Sequence, residues 1–146
     1  MIKKTKNKNT SSKSHGSRKT SNETALALIS VLQNLPVAVA VFTLNKILFI
    51  NDAAIKIFKP SKQLLKTINE HSIFEFLLPE YHKRVKENSL KIFKGEEFIP
   101  FELKIRNAKN QIVDLEVKSN AVLFNGQKAI QTILTDISDQ VKYRDE

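Results

Sequence analysis

The sequence predicts an α+β protein: a five-stranded antiparallel sheet with a helical layer on one face and a further helix flanking it on the N-terminal side. Three observations carry this expectation. From Ile99 to Ile137 the chain reads as three consecutive strands, Phe101–Arg106, Val113–Lys118 and Lys128–Thr135, connected by Asn107-Ala-Lys-Asn110 and by Asn125-Gly126. Two β-rich runs, Pro36–Phe42 and Lys46–Ile50, stand far earlier in the chain. Helix signals fill the interval between the two groups. Two strands in front and three behind combine into one sheet, with the inserted helices covering its inner face.

In the first two strands of the later group, apolar residues alternate strictly with charges, so one face looks toward a core and the other toward water. Asn125-Gly126 is a strong hairpin signal, because both residues tolerate the positive φ of a type I′ turn. The charges also suggest a register. Setting Arg106 opposite Asp114, Lys104 opposite Glu116 and Glu102 opposite Lys118 pairs every outer charge with its opposite. A two-residue shift sets Glu102 against Glu116, which is unfavourable. The first register is expected.

A chain of 146 residues suits one domain with an ordinary core. It contains no cysteine, which excludes disulfides, thiolate metal sites and thiol nucleophiles. No apolar run approaches the roughly 20 residues that a membrane-spanning helix needs. Lysines near the start are not followed by an apolar segment, so a secretory signal is not supported and a cytoplasmic location is expected. The net charge of +9 is unevenly spread. Residues 1–22 hold Lys3, Lys4, Lys6, Lys8, Lys13, Arg18 and Lys19 and no acid, leaving 17 basic against 15 acidic side chains for the remainder.

Taken in order, residues 1–22 are a polar, basic tail that cannot bury enough surface to offset its ordering entropy, and disorder is expected. Such a tail binds phosphate backbones by counterion release. Without interleaved aromatics, a solvated extension is the plainer reading. Residues 23–35 read as a flanking helix, entered through Thr20-Ser-Asn-Glu23 with its capping-box spacing, or through Asn22, and stopped by Pro36. Ala25, Leu28, Leu32 and Leu35 recur at heptad-like spacing with Ile29 beside them. So short a helix is marginal alone, and these five residues are candidates for a dimer interface with a second copy, or for contact with the sheet.

The two early β runs form a hairpin at Leu44-Asn45. Asn51 or Asp52 then caps a short helix, Ala53 to Phe58, that ends at Pro60. Residues 61–78 hold apolar fragments without sustained period, and one or two brief helical turns are expected there. Pro79 suits the first position of a longer helix closed by Gly95, with Tyr81, Val85 and Ile92 on its inner face.

These motifs in this order resemble a PAS domain, a sensor module of bacterial signalling proteins, from about Leu32 to Val141. Leu35-Pro36-Val-Ala-Val-Ala-Val followed by Ile47-Leu-Phe-Ile-Asn51-Asp52-Ala53-Ala54 resembles that family's opening hairpin and the asparagine starting its next helix. Leu78-Pro79-Glu80 before the helix closing at Gly95 is similar to its long helix. Leu134-Thr135-Asp136-Ile137-Ser138 resembles the Asp-Ile-Thr motif ending its last strand, with serine for threonine. Two features depart from the pattern: Asn107-Ala-Lys-Asn110 replaces the usual Asp-Gly turn, and the usual aromatic residue shortly before Asp136 is missing. The resemblance implies a sensor domain over residues 36–138, with 139–146 beginning an output helix.

The resemblance also implies either a ligand held between sheet and helices or a dimerisation relay without one. The absence of cysteine removes a light-sensing flavin adduct. Haem would need an axial histidine; His82 lies at the helix start, off the Tyr81–Val85 stripe, and reads as exposed beside Lys83 and Arg84. His71 reads as a loop residue and His15 belongs to the tail. No histidine and carboxylate set has metal-ligand spacing. A flavin would need polar partners, whereas the inferred inner positions, Phe101, Leu103, Ile105, Val113, Leu115, Val117 and part of the third strand, are nearly all apolar. No cofactor is therefore expected. The core is either filled or leaves a cavity for a small apolar ligand, lined by Phe74, Phe76, Val85, Leu103 and Leu115.

No catalytic constellation is visible, since nothing places a histidine, lysine or second carboxylate beside Asp136. Asp136, Ile137 and Ser138 are instead the expected relay between last strand and output helix, with Ser138 as N-cap and Asp139 in the first turn. The chain shows no phosphoacceptor helix, kinase, cyclase or helix-turn-helix, so a signal is expected to leave through homodimerisation or an effector protein. The functional expectation is a non-enzymatic sensor or dimerisation module in signal transduction. The alternative is a nucleic-acid-associated protein that binds through its basic tail while the fold only dimerises.

Overall fold

The computed structural model describes residues 26–27, 30–31, 37–97 and 100–145. The chain divides into two units, residues 1–34 and 35–146. In the first, Leu26, Ala27, Ser30 and Val31 are helical. The five candidate interface residues, Ala25, Leu28, Ile29, Leu32 and Leu35, and the basic tail lie outside the described residues.

The second unit runs β1 (Ala38–Phe42), β2 (Ile47–Ile50), α1 (Asp52–Phe58), α2 (Lys62–Lys66), three 3₁₀ turns (Ile68–Glu70, Ile73–Glu75, Pro79–Tyr81), α3 (His82–Phe93), β3 (Phe101–Arg106), β4 (Ile112–Phe124), β5 (Gln127–Asp136) and α4 (Ser138–Asp145). The strands form one antiparallel sheet in the order β2-β1-β5-β4-β3. The first strand and the last are thus neighbours, and the early and late strand groups join in one sheet as expected.

Local chemistry sets each element. Asn51 is 0% exposed and does two jobs at once. Its Oδ1 accepts from Val39 N at 2.9 Å and from Ala54 N at 3.0 Å, while Nδ2 donates to Val37 O at 2.7 Å. It is the N-cap of α1 and also clamps the entry to β1. Lys59 ends α1 in the left-handed region at φ 50, its N–H bonded to Ile55 O. Ser61 caps α2, and Ser72 with Glu75 forms a reciprocal capping box on the second 3₁₀ turn. The segment 61–78 therefore holds more helical turns than its irregular apolar pattern suggests. Pro79 opens a 3₁₀ turn and α3 proper begins at His82.

Asn125 and Gly126 take φ of 51 and 75, the backbone of a type I′ turn. That turn pins ten consecutive pairs, from Phe124 opposite Gln127 to Leu115 opposite Asp136. It also extends β4 beyond the expected Val113–Lys118 span as far as Phe124.

The β3–β4 register differs from the expected one. Glu102 stands opposite Glu116, Lys104 opposite Asp114 and Arg106 opposite Ile112. The connector decides this. Asn107 N bonds Gln111 O at 2.9 Å, and Asn107 Oδ1 accepts from Lys109 N and Gln111 N, each at 3.0 Å. A buried Asx-type turn thus outweighs exposed charge pairing, which contributes only tenths of a kcal/mol per pair. Because the two registers differ by two residues, every side chain keeps its face. Phe101, Leu103, Ile105, Leu115 and Val117 belong to the main core, and Val113 packs against it.

Candidate functional site

Between the inner face of the sheet and α3 lies a cavity of about 70 Å³. Its wall is overwhelmingly apolar and includes Phe58, Leu77, Val85, Leu103, Ile105 and Leu115, while Asn88, Ser89, Ser119 and Thr132 are the polar residues among its lining. Among the described residues, none that lines it is charged.

The elements position these groups by simple periodicity. Val85, Ser89 and Ile92 fall at i, i+4 and i+7 on α3, so the serine shares the buried face with its apolar neighbours. On β5, Ile130, Thr132 and Leu134 alternate inward. Thr132 pairs with Ser119 across the ladder, and their hydroxyl oxygens lie 2.6 Å apart. Ser89 is 3% exposed and Thr132 4%. The sequence reading missed both residues, although Ser89 sits on the helix face already identified as apolar.

Of the five expected lining residues, Val85, Leu103 and Leu115 meet at the cavity, whereas Phe74 and Phe76 do not line it. The 3₁₀ turn Ile73–Glu75 explains the difference, since it directs Ile73 and the following Leu77 inward instead. Phe74 is turned onto the His82 ring, edge-on at 5.4 Å, and Phe76 packs on Phe58 at 5.4 Å.

His82 is half-buried, rather than exposed beside Lys83 and Arg84. Its Nε2 donates to Leu77 O at 2.8 Å, which leaves that nitrogen no lone pair for an axial metal bond. His71 bridges two segments, with Nδ1 3.0 Å from Glu75 Oε1 and its carbonyl accepting from Ile47 N at 2.7 Å. The Glu75 carboxyl is held below its ordinary value of 4.5, chiefly by the His71 hydrogen bond; desolvation opposes this, while the Ser72 N–H and the His71 charge reinforce it. Among the described residues, no group of three or more His, Cys, Asp or Glu stands close enough to hold a metal ion. No helix among them is long and apolar enough to cross a membrane.

At the end of β5 the ladder runs directly into α4. Ile137 N bonds Asp114 O at 2.9 Å, and Val141 N bonds Ile137 O at 2.9 Å. The capping group is Asp136, whose Oδ1 accepts from Ser138 N at 2.9 Å. Ser138 is already helical, and its Oγ instead accepts from Asp114 N at 3.4 Å. Arg144, late in α4, pairs with Glu102 of β3 at 3.1 Å.

No family model matches the sequence. The chain is 28% identical over 114 residues to sporulation kinase A of Bacillus subtilis, a match covering 78% of this chain and 18% of that protein. It therefore spans less than a fifth of the length of that curated relative. Among solved structures it resembles the PAS domain of an HTR-like protein from Haloarcula marismortui, with TM-score 0.63, 19% identity, and coverage of 84% of this chain and 99% of the other. The PAS domain of a protein from Colwellia psychrerythraea matches with TM-score 0.64 at 14% identity, covering 77% of this chain and 96% of the other. The architecture is that of a PAS domain. Five antiparallel strands, a helical layer over one face and an Asp-Ile-Ser exit from the last strand are the features the chain brings to it.

Proposed function

We propose that this chain is a non-enzymatic sensor module of signal transduction, whose cavity takes up a small ligand and whose sheet passes the change on to flanking helices. One observation carries the reading. Strand β5 contributes Ile130, Thr132 and Leu134 to the cavity and continues without interruption through Asp136, Ile137 and Ser138 into α4. An occupant that shifts β5 therefore acts on the base of α4, and differential affinity for two arrangements of that joint is all a relay requires. The likeness to a sporulation kinase supports a signalling role. In this reading the second output is a homodimer formed through Ala25, Leu28, Ile29, Leu32 and Leu35, whose geometry sets the state of an effector protein.

Native mass spectrometry of the purified chain tests the proposal. A dimer carrying an added small mass is the expected result. A dimer without added mass would replace ligand sensing with partner recognition, and a bare monomer would overturn the relay through dimer geometry. Replacing Leu28 and Leu32 together with glutamate is expected to give a monomer, and a variant that dimerises with unchanged affinity would sink the interface assignment.

A further inference from the structure

The geometry points to a small, neutral, oxygen-bearing ligand, a ketone, aldehyde or alcohol of roughly three or four heavy atoms, held by the Ser89 hydroxyl inside the cavity. This inference rests on the sensor reading above and names the class of molecule sensed. Size comes first. A cavity of about 150 Å³ takes a benzene ring, so one of about 70 Å³ suits an occupant of about half that size. Haem, flavins and nucleotides are far too large for the space present.

Charge comes second. Among the described residues no Lys, Arg, His, Asp or Glu lines the cavity, so an ionised occupant would be buried without a counter-charge. A neutral molecule has no such penalty.

The polar atoms supply the third constraint. Ser89 is 3% exposed, lines the cavity, and its hydroxyl has no hydrogen-bond partner among the described residues. A buried hydroxyl without a partner is destabilising, and an acceptor oxygen placed against it removes that loss. On the facing floor, Ser119 and Thr132 share one hydrogen bond at 2.6 Å, which uses only one of their two hydroxyl protons. Hydroxyl-bearing residues thus line the cavity on both the α3 side and the sheet side, while Val85, Leu103 and Leu115 offer carbon surface to the rest of the molecule. An oxygen acceptor on a short hydrocarbon body satisfies both.

The test compares acetone with isobutene, which has nearly the same planar shape but lacks the oxygen. Each is titrated into the full-length protein while the methyl resonances of Val85, Leu103 and Leu115 are followed by NMR. The expected result is saturable binding of acetone, tighter than that of isobutene. Ser89→Ala should weaken acetone about fivefold and leave isobutene unchanged. Thr132→Val gives the same comparison from the floor should Ser89→Ala fail to fold. Isobutene binding as tightly as acetone, or acetone affinity unaltered by Ser89→Ala, would overturn the ligand class while leaving a sensor of purely apolar molecules standing. Binding of neither probe would mean a closed packing defect or a water site, and would overturn the ligand class and the cavity reading together.

Discussion

Glu102 and Glu116 stand directly opposite one another across β3 and β4, two carboxylates on the outer face of the sheet. Each has a cation nearby: Arg144 lies 3.1 Å from Glu102, and Lys118 lies 3.7 Å from Glu116. The partner of Glu102 comes from α4. The like-charged pair is therefore partly relieved by the helix that leaves the sheet.

That relationship predicts the effect of Glu116→Lys. The variant places opposite charges across the ladder and should raise stability by about 0.5 kcal/mol at low salt. The gain should shrink as ionic strength rises, because both side chains are partly solvated. Urea midpoints at low and high salt check this. A loss of stability at low salt would mean that the Lys118 pair matters more than the cross-strand one.

Asn51→Ala removes the side-chain hydrogen bonds to Val37, Val39 and Ala54 from a fully buried site. The loss of an N-cap together with stranded buried groups should lower stability by about 3 kcal/mol. Equilibrium urea unfolding measures it. A loss below about 1 kcal/mol would show that water replaces the side chain.

Acid should weaken the 71–75 segment through Glu75. Its carboxyl titrates lower in the folded chain than its ordinary 4.5, so its charge stabilises the fold above that value. The contribution fades as pH falls through the depressed folded value. Wild type should therefore exceed Glu75→Gln in thermal midpoint near neutral pH, and the gap should close in acid. A gap that stays constant from neutral pH into acid would place the difference in something other than this charge.

Leu115→Ala should cost about 3–4 kcal/mol, since Leu115 is 0% exposed and its removal enlarges an existing void. The enlarged space should accept benzene, which the native cavity is too small to hold. Methyl NMR with added benzene reads the result for both proteins, and equal benzene binding would show that the native cavity opens more than its resting volume suggests.

Asp136→Ala withdraws the acceptor that holds Ser138 N at the start of α4. A cap of this kind contributes about 1 kcal/mol, so amide exchange over 139–145 should accelerate about fivefold, with β5 protection preserved. Unchanged exchange in α4 would remove Asp136 from the proposed relay.

Much of this fold could be read from residue order alone, for identifiable reasons. Alternation in Phe101–Arg106, the Asn125-Gly126 pair and the proline and asparagine punctuation at Asn51, Pro60 and Pro79 each express a strong local preference that tertiary packing did not override. The β3–β4 register was illegible because it depends on how the Asn107 side chain folds back on its own loop. Visible outer charges suggested a different answer. The cavity was half legible. Residues on regular elements, Val85, Leu103 and Leu115, follow from periodicity, while Phe74 and Phe76 sit beside a 3₁₀ turn whose direction has no such signal. Ser89 was overlooked because a polar residue on an apolar stripe looks like an interruption, although its position at i+4 from Val85 places it inward.

In the sheet, Ala38 at the start of β1 stands opposite Leu134 near the end of β5. The strand that opens the fold and the strand that closes it therefore meet at one end, about 4.8 Å apart. A unit with its entrance and exit so close can be spliced between two consecutive segments of another polypeptide without prising them apart. A small rotation between β1 and β5 would reach both junctions together, turning the pair like the two legs of a hairpin spring.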